Sequence, residues 1–243
     1  MRIAIHQPHY IPWLGYLDRM IKADLFIVLD HVQFERRNYQ NRAAILLEGQ
    51  SKLLTVPVVQ RSQKETIVEK RIDASEGGSR AWGTVHAKTL RYAYRKAPHL
   101  ADYLPRIEEV LLARWERLVD LDLAMLALLR EAFQIRTPLV RSSQMRAEGA
   151  RSELLLNLCR EVRAGSTFLG GLGGSRRYLD PEAFARAGIG VEWQSFDHPR
   201  YAQCGAPEFV PGLMAFDLLF HQGAAGRELL WRQAERRDER LAA

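Results

Sequence analysis

Apolar residues in the first thirty positions follow three successive patterns. Residues 2–6, RIAIH, alternate and are rich in β-branched side chains, which predicts a strand. Residues 13–23 carry apolar side chains at helical spacing, and Pro12 suits the first turn of a helix. Residues 24–30, DLFIVLD, form a continuous apolar run, which is typical of a buried strand. This order of strand, helix and strand predicts a βαβ unit with parallel strands.

The middle of the chain changes from strand-like to helical patterns. Residues 41–49 and 52–59 are two strand-like runs around a glycine-containing turn, so we expect a hairpin. Pro57 indicates that the second run lies at a sheet edge or beside a bulge. Residues 80–134 follow a helical period, with a break expected near 117–120, and form a helical insertion over the sheet.

The alternation of helix and strand returns in the last hundred residues. Asp180 is expected to cap a helix that begins at a proline and ends at a glycine. The predicted elements are a helix over 152–164, a strand over 167–171, a helix over 180–188, a strand over 189–196 and helices over 213–222 and 226–241. We therefore predict an α/β fold with a mostly parallel central sheet flanked by helices, a hairpin and a helical insertion, as one domain of residues 1–243.

Composition places the chain among ordinary globular proteins. Hydrophobic residues make up 47% and charged residues 26% of the sequence, which excludes disordered and collagen-like classes. A net charge of +6 favours anionic small molecules as partners, and nucleic acid is an unlikely one because the basic residues are spread along the chain. The absence of a long apolar run and of a leader-like start predicts a cytoplasmic protein without a membrane span.

The two cysteines provide neither a disulfide framework nor a zinc-binding spacing. Cys159 lies among leucines in a helical pattern, so we expect a core thiol. Cys204 lies in a loop and is the only plausible reactive cysteine.

The loop that follows the first strand, HQPHYIPW, carries the first candidate chemistry. In open α/β sheets ligands bind at the carboxyl ends of the strands, where this loop begins. His6 and His9 are predicted to act as acid or base, to bind a phosphate or to ligate a metal, and the alternative is that they satisfy backbone groups in a tight turn. Gln7, Tyr10 and Trp13 are predicted to contact the substrate.

The segment DHVQFERRNYQNRAAI follows the second predicted strand and is rich in fixed donors. Asp30 and His31 are predicted to join the catalytic group, because neighbouring parallel strands end at the same edge. Guanidinium and amide groups suit carboxylates, phosphates or sugar hydroxyls, whereas a solvated turn is the alternative. The predicted substrate-binding residues here are Gln33, Arg37, Asn38, Asn41 and Arg42. We expect this segment and the histidine loop to face each other across one hollow.

Two later segments complete the candidate site. Glycines between a strand and a capped helix predict either an anion-binding turn or a merely flexible one; the residues are Gly171, Gly173, Gly174, Ser175 and Arg176. Further substrate contacts are predicted for His198, Tyr201 and Gln203. Asp217 and His221 lie four apart on a helix, as a surface pair or a buried orienting pair.

No metal site is predicted, since the candidate ligands are scattered over loops. The sequence requires no cofactor and is compatible with a divalent metal or a nucleotide.

Five segments occur in the order found in WbqC-like proteins, so the chain resembles that family over nearly its whole length. They are HQPHYIPWLGYLDRMIKADLFIVLDHVQF, RNYQNRAAI, LTVPV, TFLGGLGGSRRYLD and HPRYAQ with FVPGLMAFDLLFHQG. The resemblance implies a role in surface-polysaccharide (O-antigen) or natural-product biosynthesis, as a glycine or acyl transferase. The family's Ser-x-x-Asp pattern is replaced here by LMAFD, which argues against a serine-dependent step at Asp217.

These observations predict a small-molecule transferase that joins an acyl or aminoacyl group to an amine or hydroxyl. His6 or His9 would remove the acceptor's proton, while Gln33, Asn41 and Arg42 orient polar groups. The expected partners are a small-molecule substrate and an activated acyl donor or acyl-carrier protein. The alternatives are a nucleotidyltransferase-like or adenylating enzyme, whose layout is similar but whose His-x-Gly-His signature is missing, and a non-enzymatic carrier-docking or ligand-binding module.

Overall fold

The computed structural model, which describes residues 1–170 and 175–241, has a five-stranded parallel sheet and a separate antiparallel hairpin. The strands are β1 (Arg2–His6), β2 (Leu25–Val28), β3 (Arg42–Leu47), β4 (Gln50–Thr55), β5 (Leu139–Arg141), β6 (Ser166–Leu169) and β7 (Gly190–Trp193). The central sheet has the order β5-β2-β1-β6-β7, and β3 pairs with β4. The predicted parallel sheet and hairpin are confirmed.

Eight α-helices surround the strands in the described ranges. They are α1 (Leu14–Ile21), α2 (Trp82–Ala93), α3 (Leu100–Leu112), α4 (Leu118–Ala132), α5 (Arg151–Glu161), α6 (Ser175–Tyr178), α7 (Pro181–Arg186) and α8 (Phe216–Leu241). Helix α8 is kinked at Gly223, whose φ of 55° interrupts the helix. Within residues 1–170 and 175–241, no helix combines the length and apolar character needed to cross a bilayer.

The side chains of the central strands alternate between two apolar layers. Ala4, Phe26 and Val28 face a large core built from α1, the hairpin, α2, α3, α4 and α8. Ile3 and Ile27 face the opposite layer, which contains α5 and α7. The period of two along buried strands therefore separates the helices into layers on both faces of the sheet.

Several boundaries differ from the sequence-based expectation. Strand β4 ends at Thr55, so Pro57 lies beyond the strand, and the Pro57 carbonyl instead accepts a hydrogen bond from the Asp73 amide at 2.9 Å. Helix α3 begins at Leu100 and contains Pro105 in its interior. The hairpin turn is tight, with positive φ at Glu48 and Gly49, as two-residue hairpin loops require.

The strand order predicts a crevice at the carboxyl end of β1. From β1 the chain proceeds to β2 and β5 on one side of the sheet, and then to β6 and β7 on the other side. The order therefore reverses between β1 and β6, where the loops following the two strands diverge. In open α/β sheets this reversal point is the usual ligand-binding position.

Helix α2 is held close to α3 by a glycine, which provides a test of the packing. A Cβ added at Gly83 would lie 1.9 Å from the carbonyl oxygen of Leu111. We expect Gly83→Ala to lower the free energy of unfolding by about 2 kcal/mol in urea denaturation, because overpacking outweighs alanine's helix propensity. Gly77→Ala, whose Cβ would meet no atom within 4 Å, serves as the control. Equal stability of the two variants would contradict this account.

Candidate functional site

His6 ends the central strand β1, and one of its ring nitrogens contacts the backbone of the loop that follows. Its Nδ1 lies 2.8 Å from the carbonyl oxygen of Gln7. A carbonyl oxygen can only accept, so Nδ1 carries the hydrogen and donates it. The neutral ring therefore keeps a lone pair on Nε2, and no described residue hydrogen-bonds to that nitrogen. His6 is partly buried and has the tautomer that a general base requires.

His9 lies against His6 in a small aromatic cluster. The two imidazole centroids are 4.7 Å apart and the rings are nearly perpendicular. Tyr16 contacts both rings, at 4.8 Å from His6 and 5.3 Å from His9, and Tyr39 lies 5.7 Å from His9. The side chain of His9 is 8% exposed, and neither of its ring nitrogens has a hydrogen-bond partner in the described part of the chain. The structure thus brings together the two histidines predicted from sequence.

Both imidazoles are uncharged at neutral pH. Burial and then the nearby charge of Arg19 lower the pKa of His9 to about 3. Burial, Arg19 and His9 together hold the pKa of His6 well below its ordinary value, against the opposing effect of the Gln7 hydrogen bond. The pair can accept or donate hydrogen bonds without carrying charge.

Arg19 is a site residue that the sequence analysis missed. It lies on α1, is 5% exposed, and donates from Nε and Nη2 to the Oε1 of Gln194 at 3.1 and 2.9 Å. Gln194 directly follows β7 and also donates to the Gly15 carbonyl and to Asp18. The position of Gln194 at a strand's carboxyl end is a signal that the sequence contained. Asp18, Arg19 and Lys22 form a polar face on α1, which the sequence pattern assigns to solvent but which the structure buries.

Two further contacts attach the histidine loop to the arginine-rich segment. Gln40 donates to the side-chain oxygen of Gln7 at 2.9 Å, and the Tyr10 amide donates to the Tyr39 carbonyl at 3.0 Å. The loop backbone is strained at Ile11, where φ is 47°, because β-branched residues rarely adopt positive φ. Such strain is typically maintained at functional loops by the contacts around them.

Tyr10 faces the interior, away from the substrate-binding role predicted for it. Its side chain is fully buried, and its hydroxyl lies 2.8 Å from Nδ1 of His86 on α2. Asp122 of α4 is also buried, its carboxylate oxygens have no partner among the described residues, and burial raises its pKa well above the ordinary value. These groups form a polar layer beneath the histidine loop.

The arginine-rich segment lines an open groove of its own. A hollow of about 390 Å³ is lined by Phe34, Arg36, Arg37, Asn41, Arg42, Val58 and Gln60, and we call it the arginine groove. A second hollow of about 460 Å³ continues from it along Gln33, Glu35, Ser62 and Gln63. The buried Asn41 Oδ1 and Arg42 Nε lack hydrogen-bond partners in the described ranges. The groove also presents guanidinium and amide side chains, which are suited to a polar ligand.

The sequence predicts a single hollow, whereas the structure has the histidine loop and the arginine groove as two neighbouring regions. Neither His6 nor His9 lines the arginine groove, although Tyr39 links the two by contacting His9. The side chain of Tyr39 is 48% exposed, so it forms the boundary between the crevice and the neighbouring segment. The predicted proximity of the two segments is therefore observed, but the predicted common cavity is not.

Asp30 and His31 lie at the end of β2 and are engaged in structural bonds. The buried Asp30 carboxylate accepts from Arg141, from the Ser142 hydroxyl, and from both the amide and the hydroxyl of Ser143, at 2.7 to 3.1 Å. Nδ1 of His31 lies 2.6 Å from the Ser142 hydroxyl. This network ties the end of β2 to the end of β5. Asp30 has little remaining capacity to accept a substrate proton.

The residues His198, Tyr201 and Gln203 form a separate buried cluster around Asp217. Tyr201 and Gln203 donate to one carboxylate oxygen of Asp217 at 2.6 and 3.0 Å. His221 lies on the same helix, and its Nδ1 donates to the Asp217 carbonyl at 2.7 Å. The Asp217–His221 pair is thus a buried one. No described contact joins this cluster to His6 or His9, so the structure does not bring the predicted substrate residues into one site.

Other predicted contact residues have mainly structural neighbours. Trp13 packs edge-on against Phe196 at 5.3 Å and covers Gly15. Gln33 donates to the Gln63 carbonyl, and Asn38 donates to Glu35. Their assignment to substrate binding stays a prediction.

The glycine-rich segment falls largely outside the described residues. Gly171, Gly173 and Gly174 lie there, as does the side chain of Ser175, so their predicted anion-binding role stays a prediction. Arg176 is exposed, and its guanidinium lies 5.1 Å from the ring of Trp193.

The cysteines and the candidate metal ligands can be described where the structure covers them. Cys159 is fully buried, as expected of a core thiol, and Cys204 is exposed. Within residues 1–170 and 175–241, no group of three or more His, Cys, Asp or Glu side chains is arranged to hold a metal ion.

Comparison with known proteins identifies a family and one relative. The sequence profile of the WbqC-like protein family matches residues 7–228. The chain is similar to the uncharacterised protein Rv1507c of Mycobacterium tuberculosis, with 30% identity over 232 residues that cover 94% of this chain and 97% of that protein. No solved structure matches the chain.

The lowered pKa of His9 predicts that acid destabilises the protein. Below about pH 6.5 the unfolded chain protonates this imidazole while the folded chain does not, so stability falls as the pH decreases toward 3. At pH 5 this difference in protonation lowers the free energy of unfolding by about 2 kcal/mol. Urea denaturation at about pH 7.5 and pH 5 gives the change in the free energy of unfolding. We expect this free energy to fall by about 2 kcal/mol less in His9→Gln than in the wild type. An identical pH dependence in both proteins would contradict the buried, neutral state of His9.

The bonds of Asp30 predict a structural role. We expect Asp30→Ala to lower the free energy of unfolding by about 3 kcal/mol or more, because it leaves Arg141, the buried Ser142 hydroxyl and two donors of Ser143 without their acceptor. Glu109→Ala, at an exposed position on α3, should change stability by less than about 0.5 kcal/mol in the same urea titration. A loss below about 1 kcal/mol for Asp30→Ala would leave this residue available for chemistry.

Proposed function

The chain belongs to the WbqC-like protein family, and we propose that it is a small-molecule transferase that moves an acyl or aminoacyl group onto an amine or hydroxyl. We propose that it acts in surface-polysaccharide or natural-product biosynthesis, on precursors in the cytoplasm. The observation that carries the proposal is the tautomer of His6, whose unprotonated Nε2 lies at the carboxyl end of the central strand. A base at this position is what acyl transfer to a neutral acceptor requires.

The proposed reaction uses an activated ester or thioester donor. The acceptor nitrogen or oxygen forms a bond to the donor carbonyl carbon while Nε2 of His6 removes the acceptor's proton. The bond from that carbon to the leaving sulfur or oxygen then breaks, and His6 returns the proton to the leaving group. The products are an amide or ester and the free thiol or alcohol, so the histidine ends in its starting state.

His9 is suited to a complementary role beside this base. Because its imidazole is neutral at the pH of the cell, it can donate a hydrogen bond from an N–H group to the carbonyl oxygen. Negative charge develops on that oxygen in the tetrahedral intermediate, and a donor placed there lowers the barrier. His6 and His9 are thus proposed as catalytic residues, whereas Asp30 is better described as structural.

The arginine groove is proposed to bind the acidic portion of the donor. Arg36, Arg37 and Arg42 line it, together with the amide-bearing Asn41 and Gln60. Guanidinium groups bind phosphates with two parallel hydrogen bonds, and both coenzyme-type donors and acyl-carrier prosthetic groups contain phosphate. An acidic acyl-carrier protein therefore fits the same groove.

The proposal is tested with a matrix of donors and acceptors. Acetyl, glycyl and longer acyl thioesters of coenzyme A are each incubated with amino-sugar nucleotides and simple amines, and products are detected by mass spectrometry. We expect an acceptor whose mass increases by that of the acyl group, and a decrease in kcat of about 100-fold or more for His6→Gln.

His99→Gln provides the matched control for this experiment. His99 is 41% exposed and precedes α3, away from the crevice, so its variant should retain wild-type turnover. Full activity of His6→Gln, or no product from the wild type with any donor, would overturn the proposed transferase. Far-UV circular dichroism of His6→Gln checks that a lost activity does not reflect unfolding.

Nucleotidyl transfer is the second candidate, favoured by the strand order. Counted along the chain, the five sheet strands have the order 3-2-1-4-5, in which nucleotides bind at the reversal point. That reaction releases pyrophosphate from a nucleoside triphosphate. Incubation of the wild type with ATP or CTP and magnesium, followed by a pyrophosphate assay, distinguishes it from acyl transfer, for which no pyrophosphate is expected.

A further inference from the structure

Arg19 extends the candidate site to the point where the strand order reverses. Its guanidinium lies against Gly170, the residue that follows β6. A Cβ at Gly170 would lie 3.0 Å from Nη2 and 3.4 Å from Nη1, so the two Nη atoms are the part of the guanidinium nearest to that position. The charged end of Arg19 therefore reaches the edge of the sheet between β1 and β6.

The guanidinium is held by a neutral group. Its Nε and Nη2 donate to the amide oxygen of Gln194. In the described part of the chain Nη1 has no hydrogen-bond partner, and Nη2 keeps a second hydrogen. The outer edge of this planar group is therefore open for two parallel hydrogen bonds, the geometry with which arginine binds phosphates and carboxylates.

The charges around Arg19 do not balance. Asp18 is the nearest carboxylate, but it is buried, accepts from Gln194 and pairs with Lys22 at 3.2 Å. One carboxylate thus faces two buried cations, while His6 and His9 remain neutral. The pKa of Arg19 is lowered to about 10, chiefly by burial, so the guanidinium stays charged at neutral pH. An uncompensated buried charge is costly and is typically retained for a ligand of opposite charge.

We propose that Arg19 binds an anionic group of the substrate, a phosphate or a carboxylate, at the carboxyl edge between β1 and β6. The anion site lies beside the two proposed catalytic histidines, and its assignment to a substrate rests on the proposed function. The backbone of Gly170 approaches the guanidinium closely, since a Cβ at this position would lie 3.0 Å from Nη2. The arginine groove and Arg19 are then separate anion-binding positions on the two sides of the histidine loop.

Calorimetric titration of the full chain tests the proposal. Orthophosphate and pyrophosphate form one arm, and acetate and succinate form the other, with the ionic strength held constant by sodium chloride. We expect saturable binding in one arm, which identifies the anion, and at least about a tenfold loss of affinity in Arg19→Gln. Arg114→Gln removes the same charge at an exposed position between α3 and α4 and should bind as the wild type does.

A second variant separates the loss of binding from the loss of folding. Gly170→Ala keeps the charge of Arg19 but adds a methyl group 3.0 Å from Nη2, which displaces the guanidinium, so it should also weaken binding about tenfold or more. The melting temperature of Arg19→Gln without ligand is measured alongside, because the substitution removes a buried charge but also takes both donors away from the Gln194 oxygen. Wild-type affinity in both variants, or no binding in either arm, would overturn the proposal.

Failure of the anion site and failure of the transferase give different results. If anion binding depends on Arg19 but no acyl product forms, the site stands and the transferase is wrong. If acyl transfer proceeds in Arg19→Gln with the kcat/KM of the wild type, the transferase stands and the role of Arg19 is wrong.

Discussion

The central position of β1 is the constraint on which the candidate site depends. The strand is hydrogen-bonded to β2 on one side and to β6 on the other, and Ile3, Ala4 and Ile5 are buried between the two apolar layers. Only the carboxyl end of the strand can present a side chain to a ligand, and His6 occupies that end. Because the strand order reverses beside β1, the loops on its two sides diverge and leave a crevice. The hydrogen bonds that bury the strand therefore also determine where chemistry can occur.

A second contact, made by Gln194, determines how α1 lies over that crevice. Its amide nitrogen donates to the Gly15 carbonyl and to Asp18, while its oxygen accepts from Arg19, so a single side chain at the end of β7 holds three residues of the helix. All of these groups are buried, and each bond stabilises polar atoms that would be costly to leave unpaired. The orientation of Arg19 is thus determined by the sheet as well as by its own helix, which gives the site a rigid support.

The fold and one half of the site could be predicted because both depend on local pattern. The strand that ends at His6 and the hairpin around Gly49 follow from alternation and turn chemistry, which nearby residues determine. Arg19 was missed because the polar face of a helix is expected to face solvent, whereas the polar face of α1 is buried in the folded chain. The bonds of Asp30 could not be predicted for a different reason: an aspartate at a strand end has the same sequence signature whether its oxygens are free or bound. Its partners at Arg141 and the two following serines lie more than 100 positions away.

The charges of the site couple ligand binding at Arg19 to the basicity of His6. An imidazole whose pKa is far below the working pH is fully available as a base but is a weak one. Burial is the largest cause of the lowered pKa of His6, and the charge of Arg19 is the next. An anion bound to Arg19 would offset that charge and so raise the pKa of the neighbouring imidazoles. His6 would then become a stronger base only once the anionic substrate is in place. Arg19 would therefore have two effects: it would bind the anionic ligand, and the bound ligand would make His6 a stronger base.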